Sequence, residues 1–131
     1  MSDTTRPSIE QLVEHWKLEP MGTENVLFTQ TYQSAVATAE GRPQYTAIIA
    51  LMTRDAGSFS DMHRLASDEL WHFYLGDPIE LLLLHPDGRH ELIVLGQNVL
   101  FSEKLQHLVP AGTWMVPAGT RCCNFSLKST F

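Results

Sequence analysis

From Asn25 onward, short apolar runs alternate with turn signals about every ten residues, and this cadence constrains the fold more than any other feature of the chain. Val26 to Tyr32, Tyr45 to Met52, Leu70 to Leu75 and Ile79 to Leu84 read as strands, as do His90 to Leu95, His107 to Val109, Trp114 to Val116 and Cys123 to Leu127. Between them stand Gly41-Arg42-Pro43, Asp55-Ala56-Gly57, Gly76-Asp77-Pro78, Pro86-Asp87-Gly88, Pro110-Ala111-Gly112 and Pro117-Ala118-Gly119. Glycine and proline supply the backbone angles and the missing donors that stop a strand. Many short strands of even spacing predict an all-β antiparallel sandwich or barrel, and 131 residues suit a double-sheet jelly roll better than a large barrel.

The one convincing helix precedes this region. Ser8 is a capping residue with Gln11 three positions on, and Ile9, Leu12, Val13 and Trp16 recur at helical spacing on one face. Pro20 and Gly22 end it, so the expected helix covers about 8–18. No repeat or linker divides the chain. The expectation is a single domain over 1–131, with the jelly roll over about 25–131.

Composition narrows the function classes. Nine Lys and Arg against fifteen Asp and Glu give a net charge of −6, without the basic stripe that nucleic acid or an anionic membrane surface requires. No apolar run approaches the ~18–20 residues of a membrane span, and Met1 to Pro7 lack the apolar stretch of a signal peptide. Cys122 and Cys123 are sequence neighbours and make no disulfide framework; packing is their plainer role. The expected location is the cytoplasm, with no nucleic-acid or membrane partner.

The segment His63 to Gly76, HRLASDELWHFYLG, resembles the first motif of the cupin superfamily. Gly57 lies six positions before His63, Glu69 stands at the acidic position, and Gly76 follows at the expected distance. Pro110 to Met115 is similar to the second motif, built around Pro-x-Gly-x-x-His, and the stretch between the motifs, Asp77 to about Gln106, is short as in bacterial cupins. The strings LEPMGTENVLFTQTY, DPIELLLLHPDG and VPAGTW extend the likeness to the type-5 cupins, from about Leu12 to Leu127. The resemblance implies a cupin-type jelly roll, usually a homodimer, with one open-ended pocket per subunit. It implies no particular reaction.

The chain departs from the cupin pattern at several places. The usual metal site takes two His and one Glu from the first motif and one His from the second; here Leu65 and Met115 occupy two of those positions. Leu65 is normal for the type-5 group, which resembles the sugar-nucleotide epimerase branch, whereas a polar residue is usual where Met115 stands. Met21 to Asn25 replaces a His-Pro-Glu-Gly-Gly run, and the group usually continues through a Val-x-Pro-Gly-Phe segment beyond the point where this chain ends at Phe131.

Strand alternation assigns faces. Glu69, Trp71 and Phe73 share one face, and His72 and Tyr74 share the other. The resemblance puts the Glu69 face inside the barrel, with His63 entering from the preceding strand. His63 and Glu69 then make an acid–base pair: the imidazole exchanges a proton near neutral pH, and the carboxylate orients it. The alternative is a buried structural pair. Trp71, Phe73, Gln106, Trp114 and Met115 are the expected ligand-binding residues, although plain core packing is the commoner fate of such apolar side chains.

No cofactor is expected. A divalent metal is the alternative, with His63 and Glu69 as ligands and His72 as a third only where a bulge turns it inward. Arg64 and Asp68 are expected outside the pocket, paired with each other. His85 and His90 are expected exposed at their turn, and His107 is expected to be a satisfied sheet residue. Three functional readings follow. The first is an isomerase-, epimerase- or lyase-type enzyme acting on a sugar-like or carbonyl-containing small molecule. The second is a ligand-binding module without turnover, and the third is a metal-dependent enzyme.

Overall fold

In the computed structural model, the described residues are 7–21, 24–53, 62–120 and 124–130. The helix α1, Ile9–Trp16, starts at a complete capping box, in which Gln11 N donates to Ser8 Oγ and Ser8 N donates to the Gln11 side chain. It ends after about two turns at Lys17, which takes the left-handed conformation and donates its N–H to the Val13 carbonyl. Nine strands follow: β1 Glu19–Met21, β2 Glu24–Gln33, β3 Thr46–Met52, β4 Glu69–Gly76, β5 Ile79–Leu84, β6 His90–Leu95, β7 Gln106–Val109, β8 Trp114–Thr120 and β9 Asn124–Thr130.

The strands form two sheets, one ordered β1-β2-β3-β9-β4-β7 and the other β6-β5-β8, and every ladder is antiparallel. This is the expected all-β jelly roll with one helix. The inner faces of the two sheets enclose the main core, which includes Val26, Met52, Trp71, Phe73, Ile79, Leu81, Leu83, Leu95, Val109 and Met115. On β5 the alternation is strict: Ile79, Leu81 and Leu83 are buried, and Glu80 is exposed. A second cluster joins Leu12 and Leu18 to Leu51, with Ile9, Val13, Trp16, Leu27 and Ile49 packed against it. The helix therefore covers the outer face of β2 and β3, and its apolar stripe is what makes it form.

Two elements were not expected from the sequence. Pro20 does not merely end the helix; it sits in β1, a sheet-edge strand, where its missing N–H costs no ladder bond. Val99–Phe101 is a short 3-10 turn with Leu100 and Phe101 strongly exposed. The Asp55-Ala56-Gly57 turn and the cysteine pair fall outside the described residues. Among the described residues, no helix is long and apolar enough to cross a membrane.

Candidate functional site

The two halves of the barrel interior differ. Phe73, Ile79, Leu81, Leu95, Met52 and Val26 fill one half with apolar side chains. The other half gathers the polar ones. Glu69 begins β4, and its side chain is only 2% exposed. His63 lies outside any long strand, but it is held by a two-hydrogen-bond antiparallel bridge to Met115, His63 N to Met115 O at 2.9 Å and Met115 N to His63 O at 2.7 Å. His63 Nε2, Glu69 Oε1 and Trp71 Nε1 are all withdrawn from solvent.

The ladders fix which side chains are neighbours. Leu83 on β5 pairs with Met115 on β8 and with Glu91 on β6. His63, Met115, Leu83 and Glu91 thus form one row across four chain segments on one inner face. One step along, Thr113 and His85 stand on the same face, with Thr113 Oγ1 and His85 Nδ1 3.5 Å apart. His85 Nε2 meets Glu91 Oε1 at 2.5 Å, with the His85 side chain 8% exposed. Across the interior, Trp71 pairs with His107 and Glu69 with Val109.

Electrostatics follow from these contacts. The hydrogen bond from His85 holds the Glu91 carboxyl below its usual range, against a smaller effect of burial. His107 is held below the usual imidazole range mainly by burial, then by nearby Lys104; Glu91 opposes this, and His85 adds to it. His72 is also lowered by burial.

Five of the expected site residues converge on the interior: His63, Glu69, Trp71, Phe73 and Met115. Gln106 and Trp114 do not join them. Gln106 is exposed and pairs with His72 on the outer face of β4 and β7, because the inward position on β7 belongs to His107. Trp114 is 41% exposed, since its neighbour Met115 takes the inward position; the Arg64 guanidinium lies 5.0 Å from the centre of its ring. His72 stacks on Tyr74 on that outer face, with ring centres 6.1 Å apart, and no bulge turns it inward. Arg64 points outward as expected, but Asp68 accepts a hydrogen bond from Ala111 N at 2.8 Å rather than pairing with Arg64, so it ties the two motif loops together.

His85 corrects the sequence reading, which expected it in solvent beside the Pro86-Asp87-Gly88 turn. It continues the inward series Leu81, Leu83, His85 by one step, and Glu91 begins the inward series Glu91, Ile93, Leu95. Alternation within β6 finds Glu91, and carrying it one step past the end of β5 finds His85. Turn signals outweighed that count.

As for a metal, cupins commonly hold one with three or four side chains. Here Leu65 and Met115 occupy ligand positions, and His72 lies on the opposite face. Among the described residues no group of three or more His, Cys, Asp or Glu is arranged to hold a metal ion. The donor set does not fit a three-ligand centre.

Comparisons with known proteins agree with the fold. The model of a family described as Cupin superfamily (DUF985) matches residues 10–130. A crystal structure of a protein from Shewanella oneidensis superposes with a TM-score of 0.86 at 24% identity, covering 95% of this chain and 77% of that one. A hypothetical protein from Leishmania major gives a TM-score of 0.80 at 26% identity, covering 95% and 81%. KdgF from a Halomonas species gives 0.59 at 13% identity, covering 89% and 88%, a likeness of fold alone. Among curated proteins, none matches the sequence.

Proposed function

Because the chain belongs to the Cupin superfamily (DUF985) family, we propose that its barrel interior is an acid–base site of the isomerase, epimerase or lyase type, acting on a sugar-like or carbonyl-containing small molecule. The observation that carries this reading is the burial of Glu69 together with the withdrawal of His63 Nε2 from solvent in the same half of the barrel. A carboxylate taken out of water is costly, and chains keep one where chemistry uses it. His63 serves as the base toward a carbon acid next to a carbonyl, Glu69 orients the imidazole and stabilises its charged form, and Trp71 and Phe73 exclude water.

The test is proton exchange. The protein is incubated in D2O with a panel of ketoses, aldoses and 2-hydroxy and 2-oxo acids, and deuterium entering at the carbon next to the carbonyl is followed by NMR. Exchange by the native protein, lost in His63→Asn and Glu69→Gln, supports the reading. Exchange unchanged in both variants overturns it.

One observation favours a second reading, a ligand-binding module without turnover. Met115 puts a thioether, 1% exposed, where cupins usually present a polar group to the pocket. Ligand-induced thermal stabilisation without exchange or any product would select it. In either case we take the protein to act as a cytoplasmic homodimer on a small molecule.

A further inference from the structure

The three-stranded sheet β6-β5-β8 is apolar on both faces. Its inner face supplies Leu81, Leu83, Ile93 and Met115 to the core. Alternation then puts Leu82 and Leu84 of β5, Leu92 and Val94 of β6, and Trp114 and Val116 of β8 on the outer face. The ladders set them side by side: Leu82 pairs with Leu92 and Val116, and Leu84 with Trp114. An antiparallel sheet with one face in water reads as alternating apolar and polar residues. The IELLLL of β5 instead ends in a continuous apolar run, the pattern of a strand covered on both sides. The helix does not supply that cover, because it lies on the other sheet. Leu92 is 56% exposed and Trp114 41%, and the other four are only half-buried.

The two ends of this face carry opposite charges. At the Leu84 end the Arg64 guanidinium lies 5.0 Å from the centre of the Trp114 ring. At the other end the exposed Glu80 stands opposite Val94. Among the described residues, neither Arg64 nor Glu80 has an ion-pair partner. The Asp87–Arg89 pair in the turn beyond Leu84 is neutral as a unit. Glu80 and Leu84 are roughly 13 Å apart along β5, with Leu82 midway. The face is therefore a strip with a positive end, an apolar middle and a negative end.

Such a strip complements itself. A twofold axis lying in the interface, across the strands and over Leu82, reverses the strand direction of a second copy. The positive end of each strip then lies over the negative end of the other, and the two Leu82 side chains meet at the centre. Sheets packed face to face sit about 10 Å apart, which long charged side chains at the rim can span. Chains of net charge −6 repel one another at long range, so a self-contact needs this apolar centre and this reversal of sign. A contact of that symmetry closes at two chains and leaves no face for further growth.

We propose that the outer face of β6-β5-β8 is the surface at which two copies of this chain meet, sheet on sheet, with Arg64 of each chain over the partner's Glu80. This rests on the homodimer reading above and specifies its surface and register.

Sedimentation velocity of the full chain at micromolar concentrations tests it. Expected are a dimer of the native chain and a loss of affinity of about 100-fold or more in Leu82→Glu, which buries two carboxylates at the centre. Arg64→Glu and Glu80→Arg each set like charges together and should weaken the dimer about three- to tenfold. Combining the two restores the opposite signs and should recover most of the native affinity. Melting curves establish that each variant is folded, and Leu92→Glu repeats the central test at a side chain already more than half exposed. Native affinity in Leu82→Glu or Leu92→Glu, or a double variant no tighter than the singles, overturns the proposal and leaves the homodimer standing. Weakening by Leu100→Ser and Phe101→Ser but not by Leu82→Glu moves the interface to the 3-10 turn and overturns it too. Single-chain mass for the native protein rejects both the surface and the homodimer.

Discussion

His63 and Met115 face each other across an antiparallel bridge, joined by backbone hydrogen bonds of 2.9 and 2.7 Å, so their side chains lie side by side on the inner face. The bridge makes a substitution at 115 a direct probe of the metal question. Met115→His should place a third nitrogen or oxygen donor beside His63 and Glu69 and convert a two-donor site into a three-donor one. The native protein is expected to hold less than about half an equivalent of transition metal as purified, and Met115→His about one equivalent of added Zn or Co. Elemental analysis decides. A full equivalent in the native protein, lost in His63→Ala, would contradict the donor count.

Removing the acid–base pair should separate chemistry from stability. His63→Asn and Glu69→Gln are expected to lower turnover of a panel substrate by about 10²–10⁴-fold with the fold retained. Arg64 stacks outward on Trp114 and is the internal control, so Arg64→Ala should leave turnover within a few-fold. Equal losses in Arg64→Ala and His63→Asn would show the strand facing to be wrong.

Acid should weaken the fold through His107. Burial holds its folded value below the ordinary 6.5, so the unfolded chain takes up the proton first. Its contribution is whole above about 6.5 and declines as pH falls through that value toward the folded one. His72 acts in the same direction. Glu91 acts lower: its depressed carboxyl contributes above the ordinary 4.5 and loses that contribution as pH falls further through its folded value. Melting temperature is therefore expected to drop between pH 7 and 5.5, and His107→Gln should flatten the drop. A melting temperature that stays level over that interval would count against this account.

A second copy of the chain is the expected partner. Leu100 and Phe101 are 90% and 77% exposed on the 3-10 turn, and Leu92, Leu105 and Leu108 add exposed apolar surface on or beside β6 and β7. Light scattering at micromolar concentration should give about twice the 14.8 kDa of one chain. A species of single-chain mass would refute it.

Much of the fold was legible because alternation and turn chemistry are local. Ile79–Leu84 and His90–Leu95 coincide with the expected strands, and Ser8 with Gln11 form the expected cap. The inward set His63, Glu69, Trp71, Phe73 and Met115 followed from the period of two and the motif likeness. What was missed depends on pairing between distant segments. Whether 114 or 115 points inward is set by the bridge to His63, and whether 106 or 107 does is set by register with β4. His85 looked like a turn residue, but Glu91 on β6 and Thr113 just before β8 stand against it.

The division of the interior into an apolar half and a polar half separates the side chains that carry packing from those that carry charge. Leu81 is fully buried in the apolar half, and trimming it to alanine should cost about 2–5 kcal/mol of folding free energy while touching none of the histidines. Changes around Thr113, His85 and Glu91 alter polarity on the opposite side of that division. Substitutions at the polar end are therefore expected to leave the packing below it able to hold the barrel together.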